Sequence, residues 1–242
     1  MKTRQLVEIE NVKGANRALK HLLERNRTES VGLGLFYGRP GLGKSRWCSR
    51  TAQDNGYIYL RLESNITPKD FLYNLLYKLV CKEMPYFEVR GTAGDIYNQI
   101  LDILQGDQNI TIVLDEIDYA FSNERILASI RDLVDQSLAT FVLVGMERAK
   151  EKLIRMNVCY SDRCNSFFEF KPLNLSDAEL IIKELCDVKV DEQLIKFIHS
   201  KCSGTMRKIN KYIDAIERIA KRLKKQELSF DEIKDIIVKV EA

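Results

Sequence analysis

Gly38-Arg39-Pro40-Gly41-Leu42-Gly43-Lys44-Ser45 constrains what this chain can fold into more than any other stretch. It matches G-x-x-x-x-G-K-[ST] at every fixed position, with an apolar run, Gly34-Leu35-Phe36-Tyr37, before it and a helical pattern after it. The pattern has a mechanical cause. Its glycines let backbone N–H groups curl around a phosphate at the N-terminus of the next helix, where the helix dipole also favours negative charge. In that arrangement Lys44 neutralises β and γ phosphate oxygens and Ser45 offers its hydroxyl to a magnesium ion. Gly38, Arg39, Pro40, Gly41, Leu42, Gly43, Lys44, Ser45 and the following Arg46 are therefore the candidate binding residues for ATP with Mg2+.

Short apolar runs alternate with helical patterns on both sides of this loop, which predicts an α/β fold with a parallel sheet wrapped by helices. The strands are expected at Gly34–Tyr37, Tyr57–Leu62, Ile110–Leu114, Thr140–Val144 and Phe167–Phe170, and five strands make a complete small nucleotide-binding sheet. Helices are expected at Asn16–Arg25, Lys44–Asp54, Pro68–Lys82, Ala93–Gln105 and Glu124–Gln136, each with apolar residues three and four apart. Trp47, early on the helix after the loop, is expected to pack under the sheet. After Pro172 the pattern reads as helices only: Asp177–Cys186, Glu192–Lys201, Met206–Lys224 and Phe230–Val240. Ser176-Asp177-Ala178-Glu179 and Ser229-Phe230-Asp231-Glu232 have capping-box spacing. The boundary predicts a nucleotide-binding core over 1–173 and a C-terminal α-helical lid over 174–242.

Ile112-Val113-Leu114-Asp115-Glu116 is an apolar strand ending in two carboxylates. In proteins with this loop such a strand supplies an acid that holds magnesium, here Asp115 beside Ser45, and its neighbour Glu116 can polarise the attacking water. Both sites converge at the carboxyl edge of a parallel sheet. Asp118 reads as a turn or helix residue rather than a third ligand.

Composition narrows the remaining classes. The chain of 242 residues is 45% hydrophobic and 30% charged with four prolines, which fits a compact, helix-rich chain. With a polar N-terminal stretch and no run of about 18 apolar residues, it is read as cytoplasmic and without a membrane span. Its six cysteines, Cys48, Cys81, Cys159, Cys164, Cys186 and Cys202, include no C-x-x-C pair and are read as buried or idle thiols. The two histidines, His21 and His199, lie on helical patterns and suggest surface or interface positions. Net charge is only +3, but Thr205–Lys225 holds eight basic residues (Arg207, Lys208, Lys211, Arg218, Lys221, Arg222, Lys224, Lys225) against Asp214 and Glu217. That face is either solvated, with its last cations suiting the helix dipole, or directed at phosphate.

The combination resembles the AAA+ P-loop ATPases, and within them the branch of the phage Mu B protein and related transposition target-selection ATPases. The resemblance spans nearly the whole chain. It rests on Gly32–Tyr37 leading into the loop, on Asp115-Glu116-Ile117-Asp118-Tyr119, on Val142-Leu143-Val144-Gly145-Met146-Glu147, on Phe170-Lys171-Pro172-Leu173 and on Gly204-Thr205-Met206-Arg207. It implies an assembly-coupled ATPase with helices on both faces of the sheet. The resemblance also implies a homo-oligomer, ring or helical filament, holding double-stranded DNA without sequence preference and working with a transposase. A AAA+ ATPase of a secretion or envelope assembly system, or a helicase-loader type of replication adaptor, would share the same nucleotide residues.

The resemblance further places an arginine finger at Arg163, with Arg155 as competitor, and a lid arginine at Arg207. Arginine offers planar, permanently charged donors that lysine does not imitate. The first-sensor position, Asn, Ser or Thr in many relatives, is Met146 here, and a thioether is a poor partner for water or phosphate. Either Glu147 substitutes or hydrolysis is slow. For DNA, Thr67, Lys69, Arg90 and Thr92 combine cations or hydroxyls with helix starts, although ordinary capping explains the two threonines equally well.

Overall fold

The computed structural model of the protein describes residues 6–81, 88–156 and 162–237. They gather into two compact units, one of residues 15–38 and 44–169, the other of the described parts of 1–14, 39–43 and 170–242.

The first unit is built on β1 (Gly32–Gly38), β2 (Ile58–Arg61), β3 (Thr111–Asp115), β4 (Thr140–Gly145) and β5 (Cys164–Phe170). They form a five-stranded sheet in the order β2-β3-β4-β1-β5. β1 pairs with β4, β4 with β3 and β3 with β2, all parallel, so these strands end at one edge. β3 and β4 are buried along their full length, as strands covered on both faces must be.

Alternation along the strands divides the core. Leu33, Leu35, Ile112, Leu114, Phe141 and Leu143 join one cluster with Phe71, Leu75 and Leu76 of α3 (Pro68–Val80), Ile96 and Ile100 of α4 (Ala93–Gly106) and Ile130 and Leu133 of α5 (Glu124–Gln136). Each such side chain contributes about 2 kcal/mol of transfer free energy. Phe36 points the other way and stacks on Trp47 of α2 (Lys44–Asn55), ring centroids 5.0 Å apart and 18° between planes. The indole Nε1 donates to Asn16 Oδ1 at 2.8 Å, so Trp47 is a packing residue, as expected.

Several boundaries differ from the sequence reading. α1 runs Glu10–Leu23, beginning well before Asn16. A 3-10 segment at Ile117–Ser122 and α6 at Ala149–Met156 had no expectation at all. Each spans only six to eight residues, too few for the 3.6-residue period to show.

In the second unit α7 (Leu175–Leu185), α8 (Glu192–Cys202), α9 (Met206–Leu223) and α10 (Phe230–Ile237) bury Ile182, Ile198, Ile209, Ile213, Ile216 and Ile233. The expectation of helices only is overturned by β6 (Lys189–Val190) and β7 (Glu227–Leu228), which pair in parallel. Asp191 makes this ladder possible. Its Oδ1 accepts from Leu194 N at 2.9 Å, capping α8, and the same carboxylate accepts from Phe230 N at 3.1 Å, tying the two loops together. The cap of α7 is corrected too, because Asn174 Oδ1 accepts from Asp177 N at 2.7 Å, so the helix starts before the expected Ser176 box. At Ser229 the box is seen in part, its N–H donating to Glu232 Oε2 at 3.0 Å. Residues 238–240, expected to end the last helix, and Cys159 lie outside the described residues.

Candidate active site

β1 delivers the chain to Gly38 and α2 takes it up at Lys44. Between them Gly41 (φ 83°) and Gly43 (φ 95°) occupy left-handed conformations that side chains with a Cβ resist. A Cβ on Gly43 would meet nothing within 4 Å, so backbone shape, not crowding, requires glycine there. Pro40 and Arg39 are exposed, whereas Leu42 is buried and anchors the loop. Lys44 is buried, with Nζ donating to Gly38 O at 2.7 Å. Burial lowers its pKa, against the opposing charges of Glu116, Asp115 and Asp118.

The acids close the other side. Asp115 ends β3 at 2% exposure, its Oδ2 accepting from Tyr59 OH and its Oδ1 from Glu116 N, both at 2.9 Å. The Cys48 thiol of α2, 3.4 Å from Ser45 O, lies against the same carboxylate, and burial and Asp115 both raise its pKa. Glu116 is left-handed (φ 57°, ψ 42°), an uncommon conformation for a side-chain-bearing residue, costing about 1 kcal/mol. That turn ends the strand and aims Glu116 at Arg61, whose Nη2 lies 3.2 Å from Oε1. Asp118 Oδ2 accepts from Met146 N at 2.5 Å and its Oδ1 lies 3.6 Å from Lys152 Nζ. It holds the end of β4, where Met146 is 36% exposed.

One hydroxyl and one carboxylate are hard oxygen donors suited to Mg2+. They are too few to enclose the ion, which fits a cation that also takes phosphate oxygens and water. Among the described residues there is no group of three or more His, Cys, Asp or Glu able to hold a metal ion.

The remaining expected residues lie apart. Arg163, just before β5, bonds through Nε to Asp135 Oδ1 and Oδ2 at 2.7 and 2.9 Å. Arg207, in the first turn of α9, donates its backbone N–H to Gly41 O at 3.1 Å, and its side chain is exposed. Of the DNA candidates, Thr67 and Thr92 are N-caps of α3 and α4 in complete capping boxes with Asp70 and Asp95. Carboxylates thus occupy the N-termini of both helices. Arg90 is paired with Glu88, and Lys69 is exposed. Sequence reasoning missed Tyr59, Arg61 and Cys48. Only Cys48 carried a local signal, its place one helical turn after Lys44.

No match is found among curated protein sequences. Solved structures of the same fold include Aeropyrum pernix ORC1 in complex with DNA (TM-score 0.63, 19% identity, 93% of this chain and 63% of that one). They also include Aeropyrum pernix ORC2 in ADPNP–ADP complexes (TM-score 0.67, 19% identity, 99% and 70%). A Thermotoga maritima RuvB mutant gives a TM-score of 0.59 at 18% identity over 97% and 69%. The chain thus spans 63% of the ORC1 chain's length, and at these identities the likeness concerns the fold. The AAA domain family matches residues 27–153. Because that match runs through both the loop at Gly38–Ser45 and the acids at the end of β3, the chain belongs to the AAA domain family and is an ATPase of the AAA+ type.

Proposed function

We propose that this protein is an ATP-dependent, oligomer-forming DNA-binding ATPase that selects or activates target DNA for transposition, with its nucleotide core ending near Leu173 and a helical lid from Asn174. The observation that carries the nucleotide part is the burial of Lys44 facing the charges of Glu116 and Asp115, directly after a loop whose Gly41 and Gly43 are left-handed.

In this reading the loop amides and Lys44 hold the β and γ phosphates, the ammonium exchanging Gly38 O for phosphate oxygen. Ser45 and Asp115 would hold Mg2+, which would supply charge withdrawal from the terminal phosphates. Glu116, turned from Arg61, orients a water and takes its proton as the water oxygen bonds to the γ-phosphorus. The bond from γ-phosphorus to the bridging oxygen breaks, leaving ADP and phosphate. Arg163 serves a neighbouring subunit's phosphate after leaving Asp135, and Arg207 serves its own. Met146, with no hydroxyl or amide to offer, fits slow turnover in which bound ATP keeps the assembly together.

DNA binding is supported by the cationic face of α9, where Lys208, Lys211, Arg218, Lys221 and Arg222 are all exposed. The fold shared with ORC1, solved in complex with DNA, agrees. Transposition rests on the stretches that resemble the Mu B branch. Retention on duplex DNA is the test: binding with ATP and Mg2+ that weakens with added salt is expected, because phosphate contacts release counterions. No retention at low salt eliminates the DNA reading and leaves an assembly ATPase. Capture of a transposase, rather than a replicative helicase, from the same genome separates transposition from helicase loading.

A further inference from the structure

We propose that Tyr59 is a positioning residue for the divalent cation, its hydroxyl holding the Asp115 carboxylate in the orientation from which that group serves the metal. This inference rests on the nucleotide site described above.

Two observations support it. Tyr59 lies on β2 opposite Val113 of β3, and Arg61 lies opposite Asp115. Residues two apart on a strand share a face, so the Tyr59 ring lies on the same side of the sheet as Asp115, set back from the carboxyl edge. From there its hydroxyl reaches Oδ2 at 2.9 Å. Oδ1 takes the Glu116 N–H at 2.9 Å, so each carboxylate oxygen is held by a fixed donor, with the Cys48 thiol against the same group. A carboxylate gripped at both oxygens cannot rotate about its terminal torsion without losing a charge-assisted hydrogen bond.

The test compares wild type and Tyr59→Phe, which removes the hydroxyl and keeps the ring. Affinity for a fluorescent non-hydrolysable ATP analogue is measured in Mg2+ and in EDTA, and Mn2+ binding to the analogue complex is followed by electron paramagnetic resonance. The expected result is an affinity about 10-fold weaker for Tyr59→Phe in Mg2+, on the scale of one hydrogen bond to a charged group. Affinity in EDTA should stay unchanged, and the bound Mn2+ signal should broaden. Equal affinities of the two proteins in Mg2+ overturn the inference. So does equal weakening with and without metal, or failure of Tyr59→Phe to fold, since the role would then be structural. If wild type itself gains nothing from Mg2+, the nucleotide-site reading fails and takes this inference with it; wild-type stimulation without a Tyr59 effect sinks the inference alone.

Discussion

Arg61 Nη2 lies 3.2 Å from Glu116 Oε1, joining the end of β2 to the acid that follows β3. Arg61 is 62% exposed and Glu116 19%, so the pair sits at the surface and contributes about 1 kcal/mol or less to stability. Its importance is directional. A carboxylate held by Arg61 is not free to orient water. Arg61→Ala should therefore raise the steady-state turnover of ATP severalfold while leaving nucleotide affinity and melting temperature near wild type. A fall in turnover would show instead that Arg61 keeps Glu116 in its working position.

The loop lysine and the acid should separate binding from chemistry. Lys44→Ala removes the only buried ammonium among the described residues, and ATP binding should be lost in equilibrium titration. Glu116→Gln keeps the shape and loses the proton acceptor, so it should bind ATP at near wild-type affinity and prolong the assembled state. Unchanged turnover in Glu116→Gln contradicts the role given to this residue.

Arg163 is held by Asp135 within its own chain, and a role across an interface requires that ion pair to open. Arg163→Ala and Glu116→Gln subunits should each be inactive alone. Mixed, they should recover part of the ATPase rate, because Glu116→Gln subunits present an intact arginine to neighbours with an intact Glu116. Absence of recovery across all mixing ratios argues that Arg163 acts only within its own subunit.

Alkaline stability follows from Cys164. Burial pushes its thiol from 9.0 up to about 12 in the folded protein. Between pH 9 and 12 the unfolded chain loses a proton that the folded chain keeps, so stability falls as pH rises through that window. Cys164→Ala should flatten this part of the stability profile measured by urea unfolding at fixed pH. Equal slopes for variant and wild type would assign the alkaline loss to other groups.

The capping residues show where local reading works and where it slips. Thr67 and Asp70, or Thr92 and Asp95, lie three apart in the chain and close their boxes within one turn, so sequence spacing suffices to find them. At α7 the same spacing misled, because Asn174 took the cap ahead of Ser176. Asp177 is instead drawn to a distant partner, accepting from Glu10 N at 3.1 Å.

By itself the sequence determined the phosphate loop, the acid pair and the run of five strands. Each is a pattern in neighbouring residues whose cause is local: glycine torsions, a helix N-terminus and an apolar strand ending in carboxylates. Tertiary structure alone decided what surrounds the acids. Tyr59 meets Asp115 and Arg61 meets Glu116 across 56 and 55 residues because β2 lies beside β3 in the order β2-β3-β4-β1-β5. Strand order arises from how helices pack between strands, and side-chain periodicity along one strand carries no record of its neighbour. The β6–β7 ladder was hidden for the same reason, as two-residue strands have no period and exist only where two loops are brought together.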